Sequence, residues 1–101
     1  MRNHLIDIKE VSRAALARLP GLIYWMLPNG QKQQEEWVVL NPTRADRRLG
    51  SFKVNLKTGK WGDFATGDFG GDIVSLYAYI KGTSQYDAAK RLADALGGEY
   101  A

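Results

Sequence analysis

The sequence predicts an α+β fold: a small antiparallel, ribbon-like β-sheet flanked by an N-terminal helix and two C-terminal helices. Three observations predict it. Apolar residues recur at helical spacing before residue 20 and again after residue 72, each run opening on a capping residue. Between them, Ser51 to Leu56 alternates apolar and polar positions. The tight Lys57-Thr58-Gly59-Lys60 turn then leads into a second short apolar-aromatic run.

In chain order, Asp7 followed by Glu10 resembles a capping box, and Ile8, Val11, Ala15 and Leu19 keep helical register, so residues 8 to 18 are predicted as an amphipathic helix. Pro20 either ends that helix or opens a short second one through Leu22, Ile23, Trp25 and Met26, because proline is tolerated in a first turn and not in a helix interior. Pro28-Asn29-Gly30 is a turn signal. The polar stretch from Gln31 to Glu36 reads as a loop, and Trp37-Val38-Val39-Leu40 as a buried strand closed by Asn41-Pro42. In the next strand Phe52, Val54 and Leu56 take one face, with Lys53 and Asn55 on the other. Trp61 to Phe64 returns as the second strand of a hairpin, and Gly67, Gly70 and Gly71 predict an irregular loop. Asp72 caps a helix carrying Ile73, Leu76, Tyr77 and Ile80 to a stop at Gly82. Ser84 with Asp87 caps the last helix, whose buried stripe runs through Tyr86, Ala89, Leu92, Ala93 and Leu96 to Gly97.

With 101 residues, one domain is expected. A hydrophobic fraction of 45% and a charged fraction of 25% are those of an ordinary globular protein. No apolar run approaches the roughly 20 residues that cross a bilayer, and the opening ten residues mix Leu5, Ile6 and Ile8 with charges, so no membrane partner and a cytoplasmic location are expected. The chain has no cysteine and a single histidine, His4, so neither disulfides nor a zinc site is expected, and no cofactor is implied.

Charge is segregated along the chain. Residues 41 to 60 carry Arg44, Arg47, Arg48, Lys53, Lys57 and Lys60 against Asp46 alone, while the rest of the chain holds more acid than base. Such a basic segment is either a polyanion-facing surface or a solvated loop. In the first case Arg44, Arg47 and Arg48 form a phosphate clamp, because a guanidinium presents paired donors to phosphate oxygens. Thr43 adds a hydroxyl, and Lys53, Lys57 and Lys60 extend the surface. Trp61 and Phe64 lie beside these charges, where they either stack on unpaired bases or fill the core. Asp63, Asp68 and Asp72 are weighed as magnesium ligands, but each has a cheaper explanation: an ion pair for Asp63, a glycine turn for Asp68 and a helix cap for Asp72. There is no Walker or dinucleotide glycine motif and no nucleophile-base pair, so no self-sufficient catalysis is expected.

The order of Asn41-Pro42, Ser51-Phe52-Lys53-Val54, a hairpin to Trp61, the loop Gly67-Asp68-Phe69-Gly70-Gly71-Asp72 and a helix opening Ile73-Val74 resembles the N-terminal zinc-ribbon domain of DnaG-type DNA primases. Ser84 to Ala89 followed by Lys90-Arg91-Leu92-Ala93 is similar to that family's next helix. The likeness spans residues 37 to 97 and looks most like zinc-free versions in primase-like proteins of phages and integrative elements. The family's four zinc ligands would fall near Asn41, Arg44, Phe64 and Gly67, none of which builds that site. The resemblance suggests that Phe64 and apolar neighbours pack where the metal would sit, with Asn41 holding the loop by hydrogen bonds. It implies a module that binds single-stranded DNA template in replication and leaves nucleotidyl transfer to a primase polymerase domain or works beside a helicase domain. Two other readings stay open: a protein-interaction adaptor that keeps the ribbon without nucleic acid, and a magnesium-dependent nuclease or transferase using the aspartates.

Overall fold

The computed structural model describes residues 6–45 and 48–97. Helix α1, Ile8–Leu16, starts where Asp7 Oδ1 accepts the backbone N–H groups of Lys9 and Glu10 at 3.1 and 3.3 Å, and it buries Val11 and Ala15. It stops two residues short of the predicted end. Arg18 and Leu19 bond back to Ala15 and Leu16 in tighter turns ahead of Pro20. Pro20 then serves as N-cap of the short helix α2, Gly21–Met26, the second of the two roles expected for it.

Five strands follow: β1 Gln31–Gln33, β2 Glu36–Val38, β3 Phe52–Asn55, β4 Trp61–Asp63 and β5 Asp68–Gly70. They form one sheet in sequence order with every neighbouring pair antiparallel. Two strands correct the sequence reading. Gln31 to Gln33, expected as loop, forms edge strand β1, turning into β2 through Gln34, whose φ is 58°. Residues 68 to 70, expected as irregular loop, pair with β4 as β5, and only 64 to 67 form the turn. Both strands are stabilised by ladder bonds to a neighbour rather than by apolar side chains of their own.

Helix α3, Ile73–Lys81, is capped by Asp72 Oδ1, which accepts from Ser75 N at 2.8 Å, and ends at Gly82 with φ 66°. Helix α4, Gln85–Leu96, is capped by Ser84 and ends at Gly97. Tyr86 departs from the expected stripe, being 37% exposed, whereas Ala88, Ala89, Leu92, Ala93 and Leu96 are buried. The core lies between the helices and one face of the sheet, where Phe52, Val54 and Trp61 meet Val11, Ala15, Ile73, Leu76 and Leu92. Trp61 packs edge-on to Phe52 and beside Tyr79, and its indole N–H donates to Ser75 Oγ at 3.0 Å.

That indole explains why residue 70 is glycine. A Cβ there would stand 2.4 Å from Ser75 Oγ and 2.5 Å from Trp61 Nε1, whereas one at Gly71 meets nothing within 4 Å. Gly70→Ala is therefore expected to cost about 1–3 kcal/mol by overpacking, and Gly71→Ala to stay within about 0.5 kcal/mol of the parent, both read from urea unfolding.

A candidate nucleic-acid interface on the open sheet face

Strand alternation divides the basic segment between two faces of the sheet. In β4, Trp61 and Asp63 point to the helices and Gly62 points outward; cross-strand register sets Lys53 on β3 and Phe69 on β5 beside Gly62. Phe64 continues the outward set, with Lys53 Nζ 5.7 Å from its ring centre. These residues line a shallow outward groove together with Glu36, Asn55, Thr58, Lys60 and an edge of Trp61. Phe64 and Phe69 are 81% and 82% exposed. Neither packs against another aromatic ring among the described residues.

The structure separates the two rings, for each of which stacking and core filling were both open. Trp61, proposed for stacking, is 7% exposed and belongs to the core, while Phe64, thought to pack where a metal would sit, is open to solvent. The physical reason is parity: residues 61 and 64 lie an odd number of positions apart and so fall on opposite faces.

The cations divide as well. Lys53 and Lys60 line the groove. Lys57, at the β3–β4 turn, is ion-paired with Glu35 at 3.0 Å, both side chains being mostly exposed. Arg48 is exposed, and Arg47 lies outside the described residues. Arg44 turns to the helix-side face, where its Nη2 donates to Asp63 Oδ2 at 3.1 Å and reaches Ser51 Oγ at 3.5 Å. The three-arginine clamp is thus not assembled: Arg44 is drawn to a buried carboxylate, away from the groove.

Asp63 is the centre of a polar network that includes Thr43. Its Oδ2 also accepts from Asn41 Nδ2 at 2.7 Å, and its Oδ1 accepts from Ala65 N at 2.8 Å. Asn41, 1% exposed, donates its second amide hydrogen to the Tyr79 hydroxyl and accepts at Oδ1 from both the N–H and the hydroxyl of Thr43. The Tyr79 hydroxyl in turn donates to Asp68 Oδ2 at 2.9 Å. Asn41 therefore holds the loop by hydrogen bonds as expected, joined by Arg44 and Asp63. The aspartates offered as magnesium ligands are in these roles: Asp63 and Asp68 in the network, Asp72 capping α3. Among the described residues no three potential ligands cluster for a metal.

Sequence reasoning did not single out Phe69, Gly62 or Glu36. The signal for Phe69 and Gly62 was the cross-strand register, which becomes visible only once β5 is recognised as a strand. Comparison of the sequence with protein-family models and with curated proteins finds no match.

Burial of Asp63 pushes its carboxyl pKa up, but hydrogen bonds from Asn41, the Ala65 N–H and Arg44, with the guanidinium charge, outweigh it and hold the pKa below its ordinary 3.8. The stability this supplies is complete above the unfolded-state value and is lost as pH falls through the lower folded one. Asp63→Asn is expected to cost about 1–3 kcal/mol at neutral pH. The gap in melting temperature between wild type and variant should stay constant from neutral pH down to about pH 5 and narrow below about pH 4, as read by calorimetry across that range.

Proposed function

We propose that this chain is a single-stranded DNA-binding module that takes the strand across the open face of its sheet. The observation that supports this reading is the pair Phe64 and Phe69, both exposed next to an outward glycine, Phe69 across from Gly62 on β5 and Phe64 two residues beyond it, accompanied by Lys53 and Lys60. Leaving a phenylalanine in water forgoes about 1.5–3 kcal/mol of burial, so two on one small face is a costly arrangement that stacking on unpaired bases offsets. Base stacking on aromatic rings tolerates any sequence, and neighbouring ammonium groups attract the phosphodiester chain. A duplex keeps its bases stacked internally and cannot use such rings.

Gly62 fits the same reading. A Cβ built there meets only Asp68 O and Phe69 Cβ, both at an ordinary 3.6 Å, so the fold has room for a side chain. Glycine in a strand leaves space for close approach of another molecule. Together with the resemblance of residues 37 to 97 to primase ribbons, this supports a role in replication beside a primase polymerase or helicase domain.

The adaptor reading has one observation in its favour. Trp25 on α2 is 60% exposed and borders two hollows on the helical side, one with Leu22 and Leu96, the other with Tyr77 and Ile80. The two readings separate experimentally, because Trp25→Ala should leave oligonucleotide binding unchanged.

Binding is measured by fluorescence anisotropy with a labelled thymine oligonucleotide at several salt concentrations. Phe64→Ala and Phe69→Ala should each weaken binding by roughly 1–3 kcal/mol. Replacing Lys53 and Lys60 together should lower the salt slope by about 1.4, at roughly 0.7 per phosphate contact. Gly62→Val should abolish binding while leaving thermal stability equal or higher, since a β-branched residue suits a strand better than glycine. Wild-type affinity that does not change with salt would count against the proposal.

A further inference from the structure

Phe64 and Phe69 stand near each other on the open face without touching. Phe69 lies directly across from Gly62, and Phe64 follows Gly62 by two residues, so the two rings are diagonal neighbours. Such neighbours on one face of an antiparallel pair are about 7–8 Å apart, within reach of each other's aromatic side chains. Two phenylalanines at that spacing would cover part of their apolar surface by closing together. Both instead stay largely exposed, and among the described residues neither packs against a ring. Gly62 puts no side chain into the space between them. Lys53 reaches Phe64 from β3 with its Nζ over the ring, while Phe69 stands on β5, across β4.

Resting on the single-strand reading above, we infer that the two rings hold one base between them, Phe64 and Phe69 on its opposite faces and Gly62 beneath its edge. Stacked aromatic planes lie about 3.4 Å apart, the rise per nucleotide along a stacked strand. A ring, a base and a ring therefore need about 7 Å, which the diagonal spacing supplies, whereas a second base between the rings would need about 10 Å. A separate base on the other face of Phe64 meets Lys53, whose ammonium already lies over that ring. The slot thus takes a single base, unstacked from its neighbours in the strand, and every base presents the two flat faces it needs. Lys53, across from Gly62 on β3, and Lys60, two residues before Gly62, serve the flanking phosphates. Base-dependent affinity then comes from one nucleotide, although the phosphodiester chain runs across the whole face.

The test uses labelled strands of roughly ten nucleotides, a length suited to one small single-strand site. One is all thymine. The others are abasic except for no base, one central thymine, or two adjacent central thymines. The first thymine should tighten binding by roughly fivefold to 150-fold, the worth of stacking one base. The second should add only the statistical gain of another position to choose. Phe64→Ala and Phe69→Ala, checked for folding by circular dichroism, should each remove most of the first thymine's gain. The double variant should lose little more than either, because each ring depends on the other to hold the base. A second thymine that tightens binding as much as the first overturns the shared slot and leaves the single-strand reading standing, and so do losses that add in the double variant. A first thymine without effect does the same where the all-thymine strand still binds. Absence of binding to the all-thymine strand overturns both.

Discussion

The carboxylate of Asp63 is the constraint on which the rest of the sheet depends. It sits at the end of β4, 2% exposed, and gathers the amide of Asn41 and the guanidinium of Arg44 from the long β2–β3 connection and the N–H of Ala65 from the β4–β5 turn. Two loops far apart in sequence are thereby tied to one point. Because Asp63 faces the helices, Phe64, the next residue, is directed outward, and the turn that follows carries β5 back so that Phe69 lies beside Gly62. A buried charge of this kind is costly unless every lone pair is used, and here donors from three residues meet it.

The same constraint explains how charge is distributed. Arg44 belongs to the basic run, but a desolvated carboxylate outcompetes solvent for its guanidinium, so the residue serves cohesion rather than ligand attraction. Among the described residues, the lysines on the open face have no such acidic partner holding them inward: Lys53 leans over Phe64, and Lys60 borders the groove. A run of cations in sequence is therefore not one surface in space. What sorts it is the strand period of two, together with the position of buried Asp63.

The helices were legible because their caps carry chemistry that can be read residue by residue: Asp7, Asp72 and Ser84 each accept the backbone N–H groups their positions call for, and Gly82 and Gly97 end α3 and α4 in left-handed turns. The hairpin of β3 and β4 was legible from alternation and turn residues. β1 and β5 were not. Gln31-Lys32-Gln33 has no apolar side chain, and Asp68-Phe69-Gly70 reads as a glycine turn, since a strand at or near a sheet edge is specified by the neighbour it pairs with. The misplacement of Trp61 and Phe64 had a different origin. An inward aspartate at position 63 hides the alternation, and without it two nearby aromatic residues appear to share one environment.

The network also involves the four positions that the resemblance to primase ribbons singles out. Two of the four positions where the resemblance puts ligands, Asn41 and Arg44, send their side chains to the Asp63 carboxylate, and the other two, Phe64 and Gly67, flank the turn in which Ala65 N donates to that carboxylate and Gly67 N to the Asp63 main-chain carbonyl. A divalent ion would cross-link these loops through four side chains. Here one carboxylate does so through side-chain and backbone donors, with no contribution from the side chain of residue 64. Phe64, not needed for the cross-link, turns outward. The cross-link and the aromatic face thus have one cause: Asp63 takes the joining role at the end of β4 and leaves its neighbour to face solvent.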